Sequence, residues 1–292
     1  MVKEHYDEID AEYSLTEGGG ATIDNGKVAT MNIGTAEKIP ARVRLVATGT
    51  SGHGSVPRMD NALIHLGAAV EKVGRWQTQM RLNDTTRTYF EKLATISTPE
   101  KSARYNALLN PATSEAAQAY LREKEPQLYS MLRTSVVPTM LKAGVGANVI
   151  PSEAEATLDI RALPDENIPQ FYAEMAKVIN DPEVKIEPLP ATRPPSPATH
   201  LDTEMYRVLE RVSKRMYPGI TVIPSMSTGA SDKAQLRAKG QQSYGIGPAA
   251  TRDNSTNFGA HSDVERLAES SIYPFVEFVW SAVTEIAATS KH

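Results

Sequence analysis

The stretch GTSGHGSVPRMDNA, residues 49–62, separates two segments of different period. Upstream, ARVRLVAT (41–48) puts apolar residues on alternate positions, the pattern of a half-buried strand. Downstream, residues 62–70 read as a helix. The loop between them carries His53, flanked by Gly52 and Gly54, with Ser55 and Pro57 behind it. Glycine neighbours supply no packing wall, so this imidazole is not read as a core residue. On so bare a loop it reaches outward, and imidazole suits hydrogen bonding to a developing oxyanion.

Beyond this loop, residues 83–132 predict a long helical stretch broken at Pro99 and Pro111. Residues 135–141 follow as a strand. Alternation through AEATLDIR (154–161) predicts a strand with one wet face. A helix over 169–179 and a strand over 184–188 close the segment. Strand, helix, strand, strand, helix, strand is the order of an α+β sandwich, one sheet with helices on a single face. Ahead of it, residues 1–40 read as a short helix, a strand, TEGGG, and a hairpin marked by Asp24-Asn25-Gly26. After it, the proline-dense PLPATRPPSPATH (188–200) reads as a linker. A helix over 202–217, strands near 220–223 and 242–246, and a last helix through 283 then give βαβ-like alternation. The expected architecture is an α/β domain in two pieces, 1–40 and 190–292, interrupted by a sandwich domain over 41–189.

Composition bounds the function. The 292 residues are 40% hydrophobic and 23% charged, ordinary for a soluble globular chain. A net charge of −4 gives no reason to expect nucleic acid or an anionic membrane as partner. No apolar run approaches the roughly 18 residues of a membrane span, and the N-terminus has no signal-like core. With no cysteine, disulfides and thiolate metal sites are excluded, so any metal needs histidine and carboxylate. A cytoplasmic setting is expected, although a cysteine-free chain would also survive in a periplasm.

Several residues carry two readings. Glu17 stands just past a strand and before three glycines, where the backbone can approach a ligand closely; a solvated loop carboxylate looks the same. His261, in NFGAHSDVERL (257–267), falls on a loop after a strand, where open α/β sheets place ligand sites. Asp263 and Glu265 are expected in the first turn of the following helix, where the macrodipole favours acids. Asn148 and Arg161 flank the turn and strand of IPSEAEATLDI, as an ordinary turn residue and exposed strand residue also would. His5, His65 and His200 are explained by a helix end, a helix face and a linker. HExxH, Walker A and GxGxxG are absent, and neither Ser51 nor Ser55 completes a GxSxG elbow.

Six strings together resemble the zinc-dependent aminoacylase and carboxypeptidase family of metallopeptidases, which includes acetylornithine deacetylase and succinyl-diaminopimelate desuccinylase. They are EIDAEYSLTEGGG, GTSGHGSVPRMDNALIHL, GANVIPSEAEATLDIRALP, STGASDKAQLRAKG, YGIGP and GAHSDVERL, in the family's order over nearly the whole chain. The resemblance implies a zinc-exopeptidase-like α/β catalytic domain interrupted by a lid that also mediates dimerisation. It implies Glu17 and His261 as ligands of two different zinc ions, and His53 as the lid residue that polarises the scissile carbonyl, delivered to the partner subunit's site. Asn148 and Arg161 match lid residues that hold a substrate carboxylate, a task suited to an Arg fork. Gly229 and Asp232 lie on the turn near the substrate pocket.

The resemblance is partial. The family's first ligand histidine, its bridging aspartate and its adjacent pair of glutamates have no match here, and would precede Met1. Catalytic zinc needs about three protein ligands and an open water position. The expectation is therefore a truncated or fragmentary metallohydrolase of peptides or N-acyl amino acids, a homodimer through its lid. A truncated hydrolase with altered amide or ester specificity and a catalytically silent dimerisation or binding remnant both remain open.

Overall fold

The computed structural model describes residues 2, 4–24, 26–251, 263 and 265–289. The early strands are β1 (Tyr13–Thr16), β2 (Gly20–Asp24), β3 (Lys27–Glu37), β4 (Ile39–Pro40), β5 (Val43–Thr48) and β6 (Gly52–His53). Helix α1 (Ala62–Arg75) is followed by four short helices, α2 (Asp84–Thr95), α3 (Pro99–Leu108), α4 (Ser114–Lys124) and α5 (Pro126–Met131). Then come β7 (Ser135–Ala143), β8 (Val149–Ile150), β9 (Glu153–Ala162), α6 (Ile168–Ile179) and β10 (Val184–Pro188). The last part holds α7 (Glu204–Met216), β11 (Thr221–Ser227), α8 (Lys233–Arg237), β12 (Gln242–Gly245), β13 (Ala250–Thr251) and α9 (Glu269–Thr289).

The chain forms two compact units. Met1–Glu37, Leu82–Met131 and Pro195–His292 make the first; Lys38–Arg81 and Leu132–Pro194 make the second.

In the second unit, β10, β5 and β9 lie side by side and antiparallel, with β4 and β7 also paired to β9. Along β9 every second residue from Ala154 to Ala162 is buried, as the sequence alternation requires. That buried row meets Leu66, Ala69 and Val73 of α1 and Phe171, Met175 and Ile179 of α6 in one core, so both helices cover the same face. Leu158 and Ile160, at 0% exposure, each contribute about 1.5–3 kcal/mol by leaving water. The other face is a lattice of charge: Arg42 and Arg161 share Asp159, and Arg44 bridges Glu155 and Glu187. Helix ends follow their residues. Asn61 accepts from Leu63 N to start α1, and Asn167 accepts from Gln170 N to start α6. Asn180 ends α6 at φ 45°, the left-handed conformation that asparagine tolerates.

In the first unit a mixed sheet runs β1-β12-β3-β2-β13, with β11 also paired to β3. Parallel pairing of β1 with β12 and of β11 with β3 needs crossover connections, consistent with the βαβ-like alternation of the sequence. Asp24 pairs with Lys27 across the hairpin expected there. The core joins Met31, Ile33, Val222, Tyr244 and Ile246 of the sheet to Val208, Leu209 and Val212 of α7 and Phe278 and Ala282 of α9. Helix α9 starts at Glu269, so Asp263 and Glu265 precede it; the expectation that they occupy its first turn is corrected, and Glu269 is the acidic residue there.

The prolines partition the helical stretch. Pro99 opens α3, Pro111 lies in the break before α4, and Pro126 opens α5. Arg81 N donates to Leu132 O at 2.8 Å, so the stretch leaves and re-enters the second unit at neighbouring backbone positions. Its own contacts are with the first unit. Helix α2 packs along β11, Lys92 Nζ donates to Val222 O at 2.8 Å, and the hydroxyls of Thr35 and Thr85 meet at 2.9 Å.

A buried ionic group ties the first unit together. Lys233, 1% exposed, donates from Nζ to Glu17 O at 2.6 Å and lies 3.8 Å from Glu37 Oε2. Glu37, 2% exposed, accepts from both the backbone N and the hydroxyl of Ser231. Burial holds the Lys233 ammonium below its ordinary pKa against the opposing pull of Glu37. Removing the cation leaves a buried carboxylate without its counter-charge. Lys233→Met is therefore expected to cost about 3–5 kcal/mol of stability in urea denaturation, and the double variant with Glu37→Gln to recover part of that loss.

A second polar pair staples the sandwich. His65 Nδ1 on α1 lies 2.7 Å from Asp181 Oδ2, just past α6, and Asp60 lies 3.7 Å from its Nε2. The hydrogen bond to Asp181 raises the His65 pKa, outweighing desolvation, with the charges of Asp181, Asp60 and Glu183 acting the same way. A histidine raised in the folded state stabilises fully below its unfolded pKa of about 6.5 and loses that contribution as pH rises through the folded value. His65→Asn is expected to flatten the fall in stability across that window in thermal melts from pH 5 to 8. An unchanged slope would remove the pair from the pH dependence.

Candidate functional site

The GHGS loop is held at both ends by backbone. Gly49 N donates to Ser152 O at 3.0 Å, and Thr50 N donates to Asp60 O at 3.2 Å. A Cβ on Gly49 would stand 2.6 Å from Ala62 N, so only glycine allows α1 to begin so close to the strand end. Within the loop, β6 pairs antiparallel with β8, His53 facing Val149, and Gly54 N donates to Asn148 O at 2.8 Å. His53 and Asn148, far apart in sequence, are thus neighbours.

The exposed His53 ring is oriented by the residue two positions on. Ser55 N donates to His53 Nδ1 at 3.1 Å, and Ser55 Oγ lies 2.8 Å from the same nitrogen. A backbone donor on Nδ1 fixes it as acceptor in the neutral ring, which puts the ring proton on Nε2. The loop therefore presents an N–H donor on an exposed turn.

Arg161 is not part of that cluster. It lies near the far end of β9, eight residues from Glu153, which at ~3.3 Å per residue is about 26 Å along the strand. Its Nε donates to Asp159 Oδ2 at 2.9 Å, while Arg42 Nε holds Asp159 Oδ1 at 2.8 Å. Desolvation raises the Asp159 pKa, but the hydrogen bonds from Arg161 and Arg42 outweigh it and keep the carboxyl below its usual range. Across the sheet, Ser135 pairs with Arg161 and accepts from Lys38 Nζ at 2.9 Å. Lys38, 1% exposed, has its pKa lowered to about 7 by burial and by the Arg161 and Arg133 guanidiniums, with Asp159 opposing. Arg133, beside Lys38, adds to the positive charge of Arg161 at this end of the sheet, which suits a carboxylate. Neither Lys38 nor Arg133 was singled out from sequence; a lysine and an arginine beside strands look like solvated residues until burial is known.

In the first unit, exposed Glu17 directly follows β1, and its carbonyl receives the Lys233 ammonium. Gly18 follows at φ +102°, and a Cβ there would stand 2.9 Å from Lys233 Nζ. Gly229 and Asp232 lie on the loop between β11 and α8; Gly229 N donates to Ser227 Oγ, and Asp232 directly precedes Lys233. The Lys233–Glu17 bond thus joins the TEGGG and STGASDK motifs. Lys233 was passed over in sequence, although its place directly after Asp232 in the quoted motif was the available signal. His261 lies outside the described residues.

Among the described residues no group of three His, Cys, Asp or Glu side chains could hold a metal ion. Glu17 by itself does not meet zinc's need for about three protein ligands, so the described residues do not fit the zinc pair that the resemblance implies. No chemical step is derived through a metal here. Among the described residues, no helix is long and apolar enough to cross a membrane.

Comparison with known proteins agrees with this architecture. A family profile for the peptidase dimerisation domain of the M20 family matches residues 35–187. A probable carboxypeptidase S-like 2 from Dictyostelium discoideum is 25% identical over 253 residues, 86% of this chain and 48% of its own length. The human N-fatty-acyl-amino acid synthase/hydrolase PM20D1 is 28% identical over 228 residues, 75% of this chain and 44% of its own. The chain thus spans about half the length of these curated relatives. Among solved structures, the M20 family metallo-carboxypeptidase Sso-CP2 from Sulfolobus solfataricus matches the fold with a TM-score of 0.62 at 16% identity, over 96% of this chain and 65% of that one. With a catalytic-type mixed sheet in one unit and the dimerisation sandwich in the other, this chain belongs to the M20 peptidase family.

Proposed function

We propose that this M20 chain serves the hydrolysis of amide bonds in peptides or N-acyl amino acids, working as a dimer through its sandwich unit. The observation that carries the reading is the His53 loop: an exposed imidazole whose Nδ1 is occupied by Ser55 N, which leaves Nε2 as the ring's N–H donor. In this role His53 donates to the carbonyl oxygen as the carbonyl carbon becomes tetrahedral and the oxygen gains negative charge. Asn148, held beside it, and Arg161 at the cationic end of β9 take the substrate's polar and carboxylate groups. Glu17, Gly229 and Asp232 sit on the catalytic-type sheet unit, with Glu17 and His261 as the chain's candidate metal donors. The names of the two curated relatives, a carboxypeptidase-like protein and an N-fatty-acyl-amino acid hydrolase, support amide chemistry.

The separation of about 26 Å along β9 bears on how a site is assembled. His53 and Arg161 stand at opposite ends of the sandwich, so one protomer does not offer both to one small substrate. A dimer in which His53 of one protomer meets the Arg161 end of its partner resolves this. The sandwich also carries an apolar rim: Val137, Met140 and Leu141 of β7 are 52%, 67% and 69% exposed, a pattern that marks an interaction surface. The same rim favours a second reading, a dimerisation module without turnover, which any amidase activity of the purified chain would exclude.

His53→Ala is expected to lower turnover of an N-acyl amino acid by roughly a hundredfold or more, the usual effect of losing an oxyanion donor; an unchanged rate removes His53 from the reaction. Mixing inactive His53→Ala chains with inactive Arg161→Ala chains is expected to restore activity, because each mixed dimer then holds one intact pairing. Met140→Asp is expected to shift micromolar protein from dimer to monomer in sedimentation, and monomer in the unaltered chain at that concentration would count against the assembly.

A further inference from the structure

Two bonds between Thr50 and Asp60 close the loop that carries His53. The Thr50 hydroxyl donates to Asp60 Oδ2, and Thr50 N donates to the Asp60 carbonyl at 3.2 Å. Asp60 directly precedes Asn61, the cap of α1, and its other oxygen, Oδ1, faces His65 Nε2 at 3.7 Å. His65 in turn meets Asp181, just past α6, through Nδ1 at 2.7 Å. Desolvation raises the Asp181 pKa, but the hydrogen bonds from His65 and from Glu183 N outweigh it and keep the carboxyl ionised.

An ionised carboxylate only accepts, so His65 Nδ1 carries a proton. In the neutral ring Nε2 is then a bare lone pair, and this nitrogen is buried without a hydrogen-bond partner. A lone pair set against a carboxylate oxygen gains nothing. A second proton makes Nε2 a donor between two carboxylates, and a closure of about 0.8 Å brings Asp60 to bonding distance. The charges facing the ring are Asp181, Asp60 and Glu183, all carboxylates; Lys72 of α1 acts on Asp181 and donates to Ile179 O. Elements β5, β9 and α6 meet α1 through apolar side chains such as Leu45, Ala156 and Met175. On the reading given under Proposed function, we propose that His65 and Asp60 are positioning residues for His53. When both ring nitrogens of His65 are protonated, the series Asp181, His65, Asp60, Thr50 ties the foot of the loop to the end of α6; loss of the Nε2 proton opens the tie. The bond to Asp181 raises the His65 pKa, so the tied form persists above the ordinary histidine value of about 6.5 and is lost as pH rises through the folded one.

Hydrogen exchange of the full 292-residue chain, read over residues 49–54 and corrected for the intrinsic effect of pH, tests this. Those residues hold the bonded amides of Gly49, Thr50 and Gly54. The Asp60 side chain is 54% exposed, so the tie is expected to raise protection by up to about fivefold at pH 5.5 relative to pH 9. Asp60→Asn keeps an acceptor for Thr50 but loses the charge; it and His65→Asn are expected to show the lower protection at both values. Equal protection at the two values in the unaltered chain, or a difference that survives Asp60→Asn, overturns the proposal. In parallel, Asp60→Asn is expected to lower kcat for N-acetyl-leucine by up to about fivefold at pH 5.5, with KM and the rate at pH 9 unchanged. A kcat untouched at pH 5.5 removes the positioning role. Turnover accompanied by exchange indifferent to His65 defeats the tie and leaves the hydrolase. Exchange that follows His65 without turnover in any form upholds the tie and defeats the hydrolase.

Discussion

Six residues of β5 lie antiparallel to six of β9, from Val43 opposite Leu158 to Thr48 opposite Glu153, and the sandwich hangs on this ladder. Its hydrogen bonds fix the face that meets α1 and α6, because a slip of one residue would turn Ala154, Ala156, Leu158 and Ile160 from core to solvent. The same register sets where the functional groups stand. At the Thr48 end it delivers the glycine loop with His53 to Asn148; at the other end β9 runs on past the ladder to Arg161, already braced by Asp159 and Arg42. A small antiparallel sheet thus acts as a ruler, keeping the His53 loop and a cationic end apart.

The catalytic-type unit uses a different constraint. Its sheet is mixed, and the loops that leave it converge on a buried ammonium. Lys233 reaches the carbonyl of Glu17, Glu37 holds the Ser231 loop, and Arg237 donates to Thr199 and to the Ser243 carbonyl. Arg237 is 3% exposed, and this burial lowers its pKa to about 10, with Glu37 and Tyr244 opposing the shift. Polar groups so placed stabilise little by themselves, but they leave few alternative positions for the loops they join.

Much of this was legible in the sequence where the signal is local. Alternation over 154–161 gave β9 its faces, and prolines 99 and 111 broke the helical stretch. The oddity of a histidine between glycines led to the loop that the fold places beside Asn148. What escaped depended on contacts across long stretches of chain. Nothing near residue 92 announces that Lys92 will meet the carbonyl of Val222, so the attachment of the helices to the first unit could not be read. Lys233 and Lys38 look like ordinary surface lysines in sequence, and only the packing of distant elements makes them buried. The start of α9 escaped for a local reason: an acid-rich run before a helix resembles its first turn, and the run was read one turn too early.

The hydrogen bond from Arg81 to Leu132 has a consequence for how such chains diversify. It closes the base of the 82–131 excursion, so the flanking α1 and β7 of the sandwich do not register how long that excursion is. Lengthening a loop whose ends are already pinned adds little entropic penalty. The helical stretch is in effect an exchangeable cassette: it could be trimmed, extended or replaced while the sandwich that carries His53 and Arg161 stayed as it is.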